Sequence, residues 1–175
     1  MGSDAGTPLD RPDPVVVLYD ALADRLHHYL QARLGASADA DDVLQETFVR
    51  LARNHESLTA ADDPAAFAFA VARNEANRWL DARRRRGEVA AAASASGLFV
   101  EADSDDADAR EAAEVVARAL ARLDDADREI VELKAYSGLT FRAIAAVVGR
   151  PQGTVAGRYQ AALGRMRAFL AKEVP

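Results

Sequence analysis

Residues 139–170 read LTFRAIAAVVGRPQGTVAGRYQAALGRMRAFL, and their spacing decides the fold. Thr140 is suited to cap a short helix that turns Ile144, Ala145 and Val148 to one side. Gly149 supplies the left-handed conformation that ends such a helix. Pro151 then opens a longer one, with Val155, Tyr159, Ala162, Leu163 and Met166 on its inner face. Two helices joined so tightly make a helix-turn-helix, whose second helix enters the major groove of DNA. An ordinary helical hairpin has the same periodicity. The DNA reading is favoured because the outward face and flanks carry Arg142, Arg150, Arg158, Arg165 and Arg167 with no acid among them.

Charge along the chain supports this. The whole carries −6, but residues 1–14 hold −2, 15–86 hold −1, 87–110 hold −5 and 111–175 hold +2, and residues 137–175 alone hold +5. Nucleic acid is therefore expected at the C-terminal end. Ala, Leu, Arg and Glu are abundant, while Gly (10) and Pro (6) are sparse, so local propensity favours an all-α protein. The absence of cysteine excludes a disulfide framework or thiolate metal site and fits a reducing compartment. No apolar run reaches the roughly 18 residues of a membrane span, and the N-terminus lacks a signal peptide's order, so a cytoplasmic protein without membrane insertion is expected. There is no Gly-rich phosphate loop or nucleophile elbow, and His27, His28 and His55 lack metal-ligand spacing. No catalytic residue, metal or cofactor is expected.

Upstream of the quoted stretch, residues 1–14 show three prolines and no apolar period, as a disordered tail would. Leu18, Leu22, Leu26, Tyr29, Leu30 and Leu34 then fall on one helical stripe that stops at Gly35. A second helix over 39–53 opens on Asp39, Asp41 and Asp42, and a polar loop from Asn54 ends in Asp63-Pro64, a cap and first-turn proline. The third helix, to about Arg86, is apolar nearly all round at Phe67, Phe69, Ala70 and Val71. It turns polar at Arg73, Asn74, Asn77, Arg78, Trp79 and the Arg83–Arg86 run. Residues 87–110 are small, then acidic, and read as a linker. After it come an amphipathic helix (Val115, Val116, Ala119, Leu120, Leu123) and another capped by Asp124 or Asp125 (Ile130, Val131, Leu133). The expected organisation is a tail over 1–14, a helical domain over 15–86, a flexible acidic linker over 87–106, and a second helical domain over 107–175 ending in the helix-turn-helix.

Leu123–Leu170, with the word Gly153-Thr154-Val155, resembles the C-terminal domain of extracytoplasmic-function (ECF) sigma factors of the sigma-70 family. DADDVLQETFVRLARN (Asp39–Asn54) is similar to that family's polymerase-binding helix, and AFAVARNEANRWLDARRRR (Ala68–Arg86) to its promoter-melting helix. The resemblance implies core RNA polymerase and promoter DNA as partners, with an anti-sigma factor as a further candidate. It implies a polymerase-binding face of Asp41, Asp42, Gln45, Glu46 and Arg50, opposite Val43, Phe48 and Leu51. Minus-ten contacts would come from Arg73, Asn74, Asn77, Arg78, Arg83 and Arg84, with Asn74 in the pocket of a flipped base and Leu58 as wedge; Trp79 is more often core than stacking platform. For the minus-thirty-five element, Gln152, Thr154, Arg158 and Gln160 lie near the groove, and Arg142, Arg150, Arg165 and Arg167 are left for phosphates, unless Arg158 braces the fold. The sequence departs from the family at Ala156, Gly157 and Ala161, where basic or hydrogen-bonding side chains are common, so base readout should be weaker. A free-standing helix-turn-helix regulator is the alternative, and it leaves the two middle blocks unexplained.

Overall fold

Asp13 accepts a 2.8 Å hydrogen bond from the Val15 amide, and with Pro14 in the first turn the chain enters α1 (Pro14–Leu34). Gly35 closes that helix at φ 85°, a conformation glycine adopts without strain. Next come α2 (Ser37–Arg53), α3 (His55–Thr59) and α4 (Pro64–Arg85), then α5 (Ala107–Ala121), α6 (Asp125–Tyr136), α7 (Phe141–Val148) and α8 (Gln152–Glu173). This computed structural model describes residues 13–35, 37–87 and 107–173. The tail up to residue 12 and the acidic stretch 88–106 lie outside the described residues.

The capping residues act as their sequence suggests. Asp63 accepts from the Ala66 amide at 2.9 Å, Asp124 from Asp127 at 2.8 Å, and Thr140 from Ala143 at 3.2 Å. Three boundaries differ from expectation. α2 begins at Ser37 rather than 39, and the polar loop after it contains α3. Pro151 stands just before α8, its carbonyl accepting from the Val155 amide at 3.1 Å, instead of within the first turn.

All six stripe residues of α1 are buried, against Val43 and Leu51 of α2 and against α4. The buried face of α4 is mostly alanine (Ala66, Ala68, Ala72, Ala76), which lets the helices approach closely around Phe69. Phe69 meets the Tyr29 ring edge-on at 5.7 Å. A fully buried leucine such as Leu26 contributes roughly 2 kcal/mol by removal from water, and its truncation to alanine would cost about 2–5 kcal/mol.

Both expected helical regions are present, but they are not separate bodies. Ile130, Leu133, Leu139, Ile144, Val147 and Val155 share one core with Leu26, Leu30 and Phe69; α1 lies against α6, and α4 against α7. A smaller cluster of Ala119, Leu120, Leu123, Val131, Ala162 and Met166, joined by Ala32 of α1, holds α5, α6 and α8 together. Helix α6 therefore contributes to both clusters, Ile130 and Leu133 to the larger and Val131 to the smaller. Periodicity reports that these three are buried, not against what.

Candidate nucleic-acid and protein interfaces

On α2, Asp41, Asp42, Gln45 and Glu46 are exposed, as the sequence implied. Arg50 does not join them freely. Its Nε lies 2.5 Å from Glu75 Oε1 and 3.5 Å from Glu46 Oε1, and Glu75 is a buried carboxylate of α4 that Arg78 also holds at 2.8 Å. Arg50 therefore neutralises an interior acid, because an unpaired buried carboxylate would be costly. Phe48 also departs from expectation. It is only half-buried, touches the Tyr19 ring at 4.8 Å, and with Leu44, Val49 and Ala52 lines a shallow groove bordered by Asp41 and Gln45. Among the described residues the large exposed apolar side chains are Val16, Val17 and Tyr19, near the start of α1. Sequence reading missed this surface. The signal was there, since three consecutive valines (15–17) cannot all face one core.

On α4, Asn74 is exposed and Asn77 half-buried. Arg78 is 60% exposed beside Glu75; Arg84 is 65% exposed, 3.2 Å from Asp81 and 3.9 Å from Asp125. Arg83 folds back to Asp39 at 3.6 Å and sits 5.0 Å over the half-buried Trp79 ring. Arg73 is engaged most completely: its Nε and terminal nitrogen each donate to Glu129 of α6 at 3.0 Å. Leu58, expected as a wedge into DNA, is 2% exposed, because α3 folds it against α1 and α4. In this arrangement it is a core residue.

On the helix-turn-helix, Arg142, Arg150, Gln152, Thr154, Gln160 and Arg167 are exposed, and the three arginines make no ion pair among the described residues. Arg158 and Arg165 both converge on Asp127, a buried carboxylate of α6, and Arg158 also reaches Asp124 at 2.9 Å. The bracing role weighed for Arg158 thus extends to Arg165. Asp124 is held below the usual carboxylate range, first by the Asp127 amide it accepts from and then by Arg158. Gly157 and Ala161 are exposed and Ala156 half-buried, and a methyl group added at Gly153, Gly157 or Gly164 would meet nothing. The outward face of α8 is consequently smooth. What sequence reading missed here was the acids: Glu75, Asp127, Glu129 and Glu132 are all buried, each beside an arginine. Among the described residues no acid or histidine cluster could hold a metal, and no helix is long and apolar enough to cross a membrane.

These surfaces lie in regions with known counterparts. The family described as Sigma-70 region 2 matches residues 18–86, and Sigma-70, region 4 matches 113–166. Over 156 residues the chain is 33% identical to the ECF RNA polymerase sigma factor SigL of Mycobacterium tuberculosis, covering 87% of this chain and 86% of that one. It is 28% identical over 159 residues to the ECF sigma factor RpoE of Cereibacter sphaeroides, covering 87% and 84%. Two solved structures share the fold. RpoE in complex with the anti-sigma factor NepR from Bartonella quintana gives a TM-score of 0.67 at 21% identity, over 91% of this chain and 98% of that one. CnrH in complex with the cytosolic domain of CnrY gives 0.64 at 24%, over 90% and 88%. The match over 18–86 accounts for the blocks that a free-standing helix-turn-helix regulator leaves unexplained. With both regions in order, and a relative matched along most of its length, the chain belongs to the ECF sigma factors of the sigma-70 family, which are not enzymes but bind core RNA polymerase and direct transcription initiation.

Proposed function

We propose that this sigma factor divides its work among three surfaces. Core polymerase docks on the groove between the start of α1 and the outer face of α2. The observation that carries this is a groove lined by Tyr19, Leu44, Phe48 and Val49 with Asp41 and Gln45 at its edge, on the same stretch of α1 as the exposed apolar side chains Val16 and Val17. An apolar floor with a negative rim suits an amphipathic, basic helical element of a partner, the rim steering encounter and excluding wrong partners. Asp41, Asp42, Gln45 and Glu46 make up that rim, whereas Arg50 supports it from behind.

Separated minus-ten strands meet the outer side of α4, where exposed Asn74 offers both donor and acceptor to a flipped base and Arg78 a guanidinium to the backbone. Duplex DNA at the minus-thirty-five element meets α8. Gln152, Thr154 and Gln160 are the side chains positioned to read bases, and Arg142, Arg150 and Arg167 bind phosphates. With Arg158 and Arg165 occupied and Gly157 and Ala161 at the surface, readout there depends more on shape and backbone than on base edges. Residues 15–86 and 107–175 are thus the two working domains, and the protein acts in the cytoplasm with polymerase. The solved structure of RpoE bound to the anti-sigma factor NepR supports such a protein as a further partner, one that competes for the α2 groove.

Run-off transcription with core polymerase tests the division. The full chain should start transcripts, and Asn74→Ala should reduce permanganate-detected opening while duplex binding persists. Opening at wild-type efficiency would remove α4 from the melting role.

A further inference from the structure

Between α4, α6, α7 and α8 lies a cavity of about 80 Å³. Its polar lining is Arg73, Glu129, Arg150 and Arg158, and apolar side chains of α6 and α7 make up the rest. A single water needs about 15 Å³ of such space, so there is room for a tetrahedral oxyanion.

The three arginines come from three elements and have donors to spare. Arg73 of α4 donates through Nε and Nη2 to the two oxygens of Glu129, each at 3.0 Å. Arg158 of α8 donates through the same two nitrogens, to Asp127 and, at 2.9 Å, to Asp124. Nη1 of each is left without a protein partner among the described residues. Arg150, in the turn before α8, is exposed and spends none of its five side-chain N–H groups on a described residue.

The charges do not balance either. Glu129 is shared by Arg73 and Arg33, Glu132 lies beside Arg33, and Asp127 and Asp124 are taken up by Arg158 and Arg165. Those four acids answer four arginines, and Arg150 is the cation left over. A concave site that is part apolar strengthens the attraction of such a charge for an anion, because less water screens it.

We infer that this cavity binds a terminal phosphate group, either inorganic phosphate or a phosphomonoester of a small molecule. Its oxygens accept from Arg150 and from Nη1 of Arg73 and Arg158, while Glu129, Asp127 and Asp124 keep the bonds they already have. Guanidinium groups suit phosphate because several parallel N–H donors meet its oxygens at once. Walls drawn from four helices favour the end of a ligand over the middle of a nucleic-acid strand. Since the donors belong to both matched regions, a bound phosphate should stabilise the whole chain by mass action.

The test is thermal melting of the full chain, without duplex DNA, in sodium phosphate against sodium chloride of equal ionic strength and pH. Phosphate should raise the melting temperature saturably, and adenosine monophosphate should do the same. Arg150→Gln should weaken half-saturation by about tenfold or more, the loss of a charged donor, with the fold intact because the side chain is exposed and unpaired. Arg53→Gln, at an exposed arginine of α2 far from the cavity lining, should change nothing. No rise beyond that in chloride, or a rise that Arg150→Gln leaves intact, would overturn the site. An equal, Arg150-dependent rise with a dinucleotide whose one phosphate is internal would overturn the terminal-phosphate assignment and give the cavity to a nucleic-acid backbone.

Discussion

Arg73 on α4 and the pair Arg158 and Arg165 on α8 invite one reading from sequence, as arginines left for DNA, and all three are engaged by carboxylates of the same helix, α6. The difference lies in which half of the molecule each belongs to. Asp127 and its two arginines all lie within α6–α8, so that contact persists however the halves are disposed. Glu129 reaches across to the first half, so its hold on Arg73 depends on the contact between the halves. One ion pair lies within a half, and the other joins the two.

The comparison is broken most severely at Asp127. Asp127→Ala should destabilise the protein by about 2 kcal/mol, because Arg165 loses its carboxylate partner and Arg158 keeps only Asp124. Urea unfolding with an unchanged slope would show this. A loss under about 1 kcal/mol would mean that the two arginines are free after all.

Between pH 5 and 8 acidity should act mainly through Glu132, where the halves meet. Burial raises the Glu132 carboxyl from 4.5 to about 7, against the opposing pull of Arg33 and Arg128 and with the help of Glu129 and Asp125; Tyr29 and Tyr136 face the same carboxylate. A carboxyl raised in the folded state contributes stability that is fully present below its ordinary value and is lost as pH rises through the raised one. Between pH 5 and 8 the fold should therefore weaken by about 2 kcal/mol, read by urea unfolding across that range. Glu132→Gln should flatten the profile, and a trend in the opposite direction would mean that the Glu132 carboxyl is not raised.

Smaller effects distinguish the outer surfaces. Asp42→Arg with Glu46→Arg should weaken capture of core polymerase about tenfold, equivalent to about 1.4 kcal/mol, with the helical spectrum intact because both side chains are exposed. Unaltered capture would move docking off this rim. On α8, duplex affinity should fall with salt at a logarithmic slope near −2.7, about 0.9 for each of Arg142, Arg150 and Arg167, and Arg142→Ala should reduce it by about one unit. A slope near −4.5 would mean that Arg158 and Arg165 also reach phosphates.

The helices themselves were legible because the signals were local: the α1 stripe, the Asp63-Pro64 entry to α4, and Thr140 and Gly149 around α7. Exposed Asp42, Asn74 and Gln152 could likewise be located by helical phase alone. What escaped was pairing at a distance. Arg73 and Glu129 are separated by 56 positions and Arg165 and Asp127 by 38, and a count of basic residues treats such arginines as available. Leu58 was misplaced for a related reason: a five-residue helix has too little periodicity to show which way its one leucine turns. The groove at Tyr19 lay in plain view as Val15-Val16-Val17, but its depth depends on Phe48, whose partly outward position is set by packing between helices.

The core shared by Leu26, Phe69, Leu133 and Ile144 bears on how the molecule can be handled. The chain should melt in a single cooperative transition, although its two regions are matched by separate families. Cutting the chain between the two regions would divide that core and leave apolar side chains of α1, α4, α6 and α7 facing water, a surface prone to aggregation. Either half produced alone should therefore be less soluble than the whole.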